Sequence, residues 1–444
     1  MSIGKKTIEG VKWASLAKFT NIGVGILRIS ILARFLNKED FGLIGLVYIV
    51  IGFAELFMDM GLSTAILHKQ NISQKEYSSL YWLNFMVSIF LFFIIFLLTP
   101  FFAAFYKQPQ LNDLIPLVSI NIILSSIGRQ FSTVFQKELN FYILSIVEII
   151  AAILSMILAV VLAMNNFGVY ALAYSTLMQF AALNFLYLIL GYKNHPIKLH
   201  FSLKETYPFL KIGGFQVGGQ MINFFSKELD VFIIGKMLGM GPLGSYNLAK
   251  QLAVKPTMFI NPIITEVASP LLAAMQNDKE KLKENYVKLI KMTSILTFNI
   301  FLIIFILSDV IIYVLYGTKY PECVLLLRLF CIYMYLRGIH NPIGSLLIAT
   351  GRTDLDLIWQ ILYLTATVIF LFLGSFFGIN GILISFICLI LFMAVPAWYI
   401  FYKNLIDLSL KDYLKAVVIS KSHYTFLFDI LKQNNPFKKG NVVK

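Results

Sequence analysis

The chain has 444 residues, 58% of them hydrophobic and only 14% charged, with a mean hydropathy of +0.78. A soluble domain carries about 25% charged residues to cover its surface, so this composition excludes a water-soluble globule and makes lipid the solvent. The net charge of +14 would suggest an anionic partner in a soluble chain, but here the charges must first be placed relative to a membrane.

A spanning helix needs roughly 20 mostly apolar residues. In chain order, about twelve segments qualify: 12–36, 40–66, 77–104, 112–136, 141–163 and 167–191, then 208–238, 242–272, 288–316, 322–349, 355–377 and 380–402. The basic N-terminal stretch precedes no small-residue cleavage site, so the first apolar segment is read as a retained helix. Tight turns are expected at Asn37-Lys38-Glu39-Asp40, Asn165-Asn166-Phe167-Gly168 and Gly351-Arg352-Thr353-Asp354. The longer connection from Tyr192 to Tyr207 lies near mid-chain. This divides the chain into a first six-helix lobe (1–192), a cytoplasmic linker (193–207), a second six-helix lobe (208–402) and a basic cytoplasmic tail (403–444).

Cytoplasmic loops retain Lys and Arg. With the N-terminus inside, most of the 37 basic residues fall on cytoplasmic segments, and only Arg34, Lys38, Lys107, Lys236 and Lys319 fall outside. Both termini are therefore expected in the cytoplasm, and much of the +14 is a topology signal rather than a sign of nucleic acid. The tail holds Lys411, Lys415, Lys421, Lys432, Lys438 and Lys439 without a spanning run. It reads either as an interfacial amphipathic helix or as a partly disordered extension.

The two halves repeat. A shift of 202 positions lays Ile31, Leu32, Arg34, Leu36, Phe41 and Gly42 on Ile233, Ile234, Lys236, Leu238, Leu243 and Gly244 without a gap. Six spans separate the copies, so both run in the same direction, as in a parallel repeat about the membrane normal. In the first helix Lys18, Asn21, Gly25 and Arg28 are spaced three, four and three, which lines one helical face. The same shift gives Gln220, Asn223, Lys227 and Asp230 on the seventh. Ionisable groups at bilayer depth cost roughly 2.5–3.5 kcal/mol each on the insertion scale. They face either a wet cavity or a partner, such as an Arg28–Asp230 pair that only joins the halves.

Other polar groups extend the pattern. Lys250 and Lys255 lie in the eighth segment with Pro256, Pro262 and Pro270; Arg328 and Arg337 lie in the tenth. Gly213, Gly214, Gly218 and Gly219 open the seventh, where ordinary close packing explains them as well as flexing does. The acids are Glu55, Asp59, Glu148, Glu228, Asp230 and Glu266. Glu55 and Asp59 share a face and either bind a proton or sodium ion together or sit solvated near a helix end. Asp230, Glu228, Glu55 and Asp59 are the ion-coupling candidates. Cys323, Cys331 and Cys388 lack ligand spacing, so no metal site is expected. No phosphate-binding glycine loop or nucleophile motif is found, and no cofactor is expected. Asp354-Leu355-Asp356 has the form used by nucleotide-sugar enzymes, but without the soluble domain or large external loop that a glycosyltransferase or polymerase needs. Matched buried charges also argue against a purely structural membrane protein.

Several segments resemble a known family. Arg28 to Gly42, RISILARFLNKEDFG, is similar to the first-helix signature of polysaccharide flippases of the multidrug/oligosaccharidyl-lipid/polysaccharide (MOP) superfamily. Leu43 to Leu67, with the turn Asp59-Met60-Gly61-Leu62, resembles its second helix, and FIIGKMLGMGPLGSYNLAKQLA from Phe232 its seventh-to-eighth junction. Gly351-Arg352-Thr353-Asp354 resembles a turn of the colanic-acid-exporter-like branch. Together these cover about residues 5–415. The resemblance implies an all-α integral membrane fold of about twelve helices in two pseudo-symmetric six-helix bundles around a central cationic cavity. It implies passage of polyprenyl-pyrophosphate-linked oligosaccharide across the cell (inner) membrane by alternating access. Arg28 is the first candidate for the pyrophosphate, since the similar lipid II flippases carry an arginine at that place. Lys18, Lys227, Lys250 and Lys255 follow, with Asn21, Asn223 and Gln220 beside them. Membrane lipids and other polysaccharide-assembly proteins are the implied partners. A drug or cation antiporter of the same superfamily is the main alternative, and it would call for a more acidic cavity. Relatives in this branch often carry two more helices, and Lys411 to Ser420 resembles the run-up to them before the chain turns polar.

Overall fold

The computed structural model describes residues 3–59, 63, 66–67, 69, 72–420 and 423–425, without the side chains of 3–8, 59, 211–217, 219, 222, 263, 265–267 and 353. Among the described residues every regular element is helical. The first group is α1 (Ile3–Phe35), α2 (Lys38–Asp59), α3 (Gln74–Tyr106), α4 (Leu111–Lys137), α5 (Phe141–Met164), α6 (Val169–Tyr192) and α7 (Leu203–Met237). Next come α8 (Met240–Val254), α9 (Thr257–Ala273), α10 (Lys279–Ile306), α11 (Ser308–Tyr316), α12 (Glu322–Ile339), α13 (Ile343–Thr350), α14 (Thr353–Ser375) and α15 (Gly378–Ala397). Short α16 (Asn404–Ile406) and α17 (Leu410–Val417) follow.

Local sequence sets the boundaries. Ser73 and Glu76 form a reciprocal capping box that opens α3. The Asn140 side chain caps α5 and that of Asp278 caps α10. The expected turn at 165–168 places Asn166 and Gly168 at φ 61° and 54°, and Gly351 ends α13 at φ 67°. There the left-handed backbone turns the chain sharply.

Among the described residues, ten segments are long and apolar enough to cross a membrane, so this is a multi-pass membrane protein. The expected segments 208–238 and 242–272 are not among the ten, and the reasons are physical. α7 is 35 residues long, but Lys227, Glu228, Asp230 and Lys236 interrupt its apolar run. The next segment is split at Lys255-Pro256 into α8 and α9, of 15 and 17 residues. Proline cannot donate the backbone hydrogen bond that would continue the helix.

Two compact units result. The first is Met1–Asn247 with Tyr313–Tyr320, the second Leu248–Ile312 with Pro321–Lys444. In the first, α4 packs on α3 and α6, and α5 on α1 and α6. The Phe35 end of α1 is held by Tyr313–Tyr320. Arg34 donates to the Val314 carbonyl (3.2 Å), Lys319 to the Arg34 carbonyl (2.8 Å) and the Tyr320 hydroxyl to the Leu36 carbonyl (2.8 Å). In the second unit α12 packs on α10 and α15, and α14 on α15. α17 lies along α10, with Tyr413 stacked on Tyr402 at 4.8 Å and the Ser294 hydroxyl bonded to the Val417 carbonyl at 2.8 Å.

The repeat is visible inside the first unit. A Cβ on Gly42 would lie 2.1 Å from the Met240 carbonyl oxygen, and one on Gly244 would lie 1.7 Å from that of Lys38. Gly42 and Gly244 are equivalents under the 202-residue shift, and so are Lys38 and Met240. Each copy therefore presses its glycine onto the other's carbonyl, the reciprocal pattern a two-fold axis imposes. Gly45 and Asn247, also equivalents, meet each other: a Cβ on Gly45 would lie 2.0 Å from the Asn247 amide nitrogen.

The segment after α6 is strapped to the same unit. Ser78 and Ser79 accept the backbone N–H groups of Lys198 (3.0 Å) and Ser202 (3.1 Å), and Trp82 donates to the Lys198 carbonyl (2.9 Å). His195 and His200 are bonded to Glu138 (3.0 Å) and Glu205 (3.1 Å) rather than simply solvated. The Ser79 hydroxyl and the His200 ring hold the Glu205 carboxyl below its ordinary value of 4.5.

Two outcomes are expected. Gly244→Ala overpacks a backbone contact, a change that costs about 1–3 kcal/mol or more, so its thermal unfolding temperature in detergent should fall. Gly344→Ala, whose Cβ would meet nothing within 4 Å, should unfold at or above the wild-type temperature; equal values for both variants would contradict the reciprocal contact. A depressed carboxylate stabilises the fold above its ordinary value, and the contribution is lost as the pH falls below it. Hydrogen-exchange protection across 194–202 should thus hold from neutral pH to about 5 and drop only below that. A drop already between pH 7 and 6 would contradict the carboxylate assignment.

Candidate functional site

Arg28 lies about seven residues, or ~10 Å, from the Phe35 end of α1. Its Nη1 donates to the Ser155 hydroxyl of α5 at 2.7 Å and to the Gln179 side-chain oxygen of α6 at 3.1 Å. The Ser155 hydroxyl gives its own hydrogen to the Ser175 carbonyl at 2.7 Å, so a lone pair is what it offers to Arg28. The Arg28 Nε is buried without a partner. Both oxygens that hold the guanidinium are thus neutral. A hydrogen bond to a charged group is worth about 1.5–3 kcal/mol. Two of them offset the roughly 2.5–3.5 kcal/mol cost of an arginine at bilayer depth. The residue is sustained there while its charge stays uncancelled.

Two turns along α1, Asn21 donates to the Glu148 carboxylate of α5 at 3.0 Å. Both α1–α5 bonds join residues 127 apart, as two helices running the same way in register require. The Asn21 oxygen is buried and unbonded. Between the two layers sits Gly25, where a Cβ would meet nothing within 4 Å. The stripe therefore has bonded ends and an open middle, and Lys18 continues it as an exposed residue.

The matching stripe on α7 behaves differently. Gln220, Asn223 and Lys227 are exposed, Glu228 is half-buried and Asp230 is buried. The Asp230 carboxylate accepts the Tyr246 hydroxyl and the Val231 N–H (2.8 Å). The bonds of Arg28 go to Ser155 and Gln179, so the dry Arg28–Asp230 pair is not formed. Lys250 and Lys255 are half-buried in the second unit, at the end of α8 and at its break from α9. Glu55 on α2 is half-buried within electrostatic reach of Arg129 on α4. The side chains of Asp59 and Glu266 lie outside the described residues.

Sequence reasoning missed Ser155 and Gln179, which carry no signal in isolation because small polar residues are common in membrane helices. It also passed over Arg129, which lies within electrostatic reach of Glu55. Asp354 is bonded to Arg352 (2.9 and 3.0 Å), and Asp356 accepts from Gln360 (2.7 Å). Both carboxylates of that Asp-x-Asp run are thus engaged within the first turns of α14.

The sequence pattern of the polysaccharide biosynthesis protein family matches residues 31–325. The chain belongs to this family. It is 31% identical to the lipopolysaccharide biosynthesis protein WzxC of Escherichia coli K12, over 94% of this chain and 85% of that protein. It is 29% identical to the teichuronic acid biosynthesis protein TuaB of Bacillus subtilis, over 81% and 74%. The fold is similar to that of the lipid II flippase MurJ in an inward closed conformation, with a TM-score of 0.74 over 94% of this chain and 95% of that one at 15% identity. It is also similar to an inward-facing multidrug resistance MATE family transporter of the MOP superfamily, with a TM-score of 0.66 over 93% and 96% at 16% identity. These two solved structures share this chain's all-α fold.

Proposed function

We propose that the chain is a flippase that carries a polyprenyl-pyrophosphate-linked oligosaccharide to the outer leaflet by alternating access, without chemistry on its cargo. The observation that carries this reading is Arg28, a guanidinium at bilayer depth held by two neutral oxygens beside an open slot. A pyrophosphate supplies the anion that such a group lacks, and charge-assisted bonds in a low-dielectric site are strong. The exposed Gln220, Asn223 and Lys227 support a wet route, because facing them to lipid would be costly. Family membership, and relatives named for the biosynthesis of lipopolysaccharide and teichuronic acid, support the substrate class.

In this reading Lys18, Asn21, Gln220, Asn223 and Lys227 line the path with Arg28, and Lys250 and Lys255 extend it. The lobes 1–192 and 208–402 rock about the path, joined by the linker 193–207 and followed by the tail 403–444. The protein lies in the inner membrane with both termini cytoplasmic, as the lysine and arginine distribution favours. Asp230, Glu228, Glu55 and Asp59 are candidates for coupling transport to an ion. Membrane proteins of polysaccharide assembly are its partners, and nucleic acid is not. A MOP-type antiporter for cations is disfavoured because the α1 and α7 stripes are net basic.

Purified protein in vesicles should move a fluorescent pyrophosphoryl-linked glycan between leaflets, measured by quenching of the outer pool. Truncating one partner of a buried charged contact costs about 2–5 kcal/mol, so Arg28→Ala should slow flipping at least about thirtyfold with insertion intact. Wild-type flipping by Arg28→Ala would refute the charge clamp. Movement of small cationic dyes with no movement of the lipid would establish the antiporter.

A further inference from the structure

The second unit contains a cavity of about 190 Å³ between α12, α14 and α15 that the proposed route does not use. One wall is polar: Arg337, His340 and Asn341 around the end of α12. The lining also includes two aromatic residues. Trp359 and Tyr363 stand four residues apart on α14, with ring centroids 6.1 Å apart and planes tilted by 36°. Arg337 is steered toward this space by Tyr333, whose hydroxyl accepts its Nη1 at 3.1 Å and whose ring lies 5.9 Å from the guanidinium carbon. Asn341 is fixed by donating its amide to the Asn261 side chain. No carboxylate is among the described residues lining the cavity.

Size and depth narrow the occupant. The volume is below the ~300 Å³ of a drug-sized site, so one ring fits and a chain of rings does not. Trp359 and Tyr363 lie about 9 and 15 Å from the start of α14, well inside a hydrocarbon layer of about 30 Å. Lipid phosphates sit outside that layer, and an acyl chain has no use for arginine, histidine and asparagine. A sugar ring has an apolar face of C–H groups that stacks on an aromatic wall and a polar edge that takes planar donors. A carboxylate on that edge would match the fork of an arginine.

We propose that this cavity is a subsite for a single acidic sugar, a uronic-acid ring stacked on Trp359 with its carboxylate on Arg337. The proposal rests on the flippase reading, because a glycan must pass this unit for the subsite to be used.

The test uses full-length protein in lipid nanodiscs, titrated with methyl glucuronide, methyl glucoside and sodium acetate. The chain has four tryptophans, and the readout is their fluorescence. Glucuronide should give a saturable change in the millimolar range, with glucoside and acetate at least about tenfold weaker. Trp359→Phe should lose the signal, Arg337→Gln should erase the preference for glucuronide, and Arg337→Lys should keep part of it. Circular dichroism and gel filtration identify any variant that fails to fold, and Arg337→Lys then decides the question. Equal responses to glucuronide and glucoside, a signal that survives in Trp359→Phe, or full preference in Arg337→Gln would overturn the subsite. Arg28→Ala separates the two ideas, since it should lose flipping and keep glucuronide binding. Binding without flipping in the wild type would sink the flippase reading alone, and flipping without binding would sink the subsite alone.

Discussion

A cation held inside a bilayer by neutral oxygens alone is the interaction on which this molecule turns. Arg28 reaches Ser155 and Gln179 on two neighbouring helices, and Ser155 in turn bonds the Ser175 carbonyl. The packing of α1 on α5, and of α5 on α6, therefore sets where the guanidinium points. The bonds are strong enough to keep arginine in place and leave its charge available. Had a carboxylate met it there, the same geometry would have served only as a joint between helices.

The contact between the α1–α2 and α7–α8 turns supplies the frame. Gly42 meets the Met240 carbonyl while Gly244 meets that of Lys38, and no side chain larger than hydrogen fits either contact. Because the two contacts are equivalents under the repeat, one feature copied twice builds both halves of the interface. The same repeat sets the polar faces of α1 and α7 at matching heights. Their environments then diverge: Asn21 and Arg28 find partners within the first unit, while Gln220, Asn223 and Lys227 stay exposed. Such divergence is what the proposed path, with a binding end and a solvated end, requires.

Much of this was legible in the residues. Hydropathy located the spans because lipid demands long apolar helices. The three-four-three spacing put Arg28 and Asn21 on one face because helical geometry allows nothing else. What stayed hidden was tertiary. Ser155 and Gln179 matter only through the helix opposite them, and the His195 and His200 contacts exist only because Glu138 and Glu205 lie beside them. The split at Lys255-Pro256 could be suspected from the proline, but hydropathy alone does not separate a bent helix from a broken one. Trp359, Tyr363 and Arg337 carry no joint signal in sequence and gain one only because the fold brings them to one cavity.

The central claim is that Arg28 is a receptor for diphosphate and not a structural bond. The most direct measurement is the affinity of a short-chain polyprenyl diphosphate, against that of the corresponding alcohol, for the wild type and for Arg28→Gln in nanodiscs. The account predicts that the wild type favours the diphosphate by about tenfold or more and that Arg28→Gln binds the two alike. An undiminished preference for diphosphate in Arg28→Gln would contradict it.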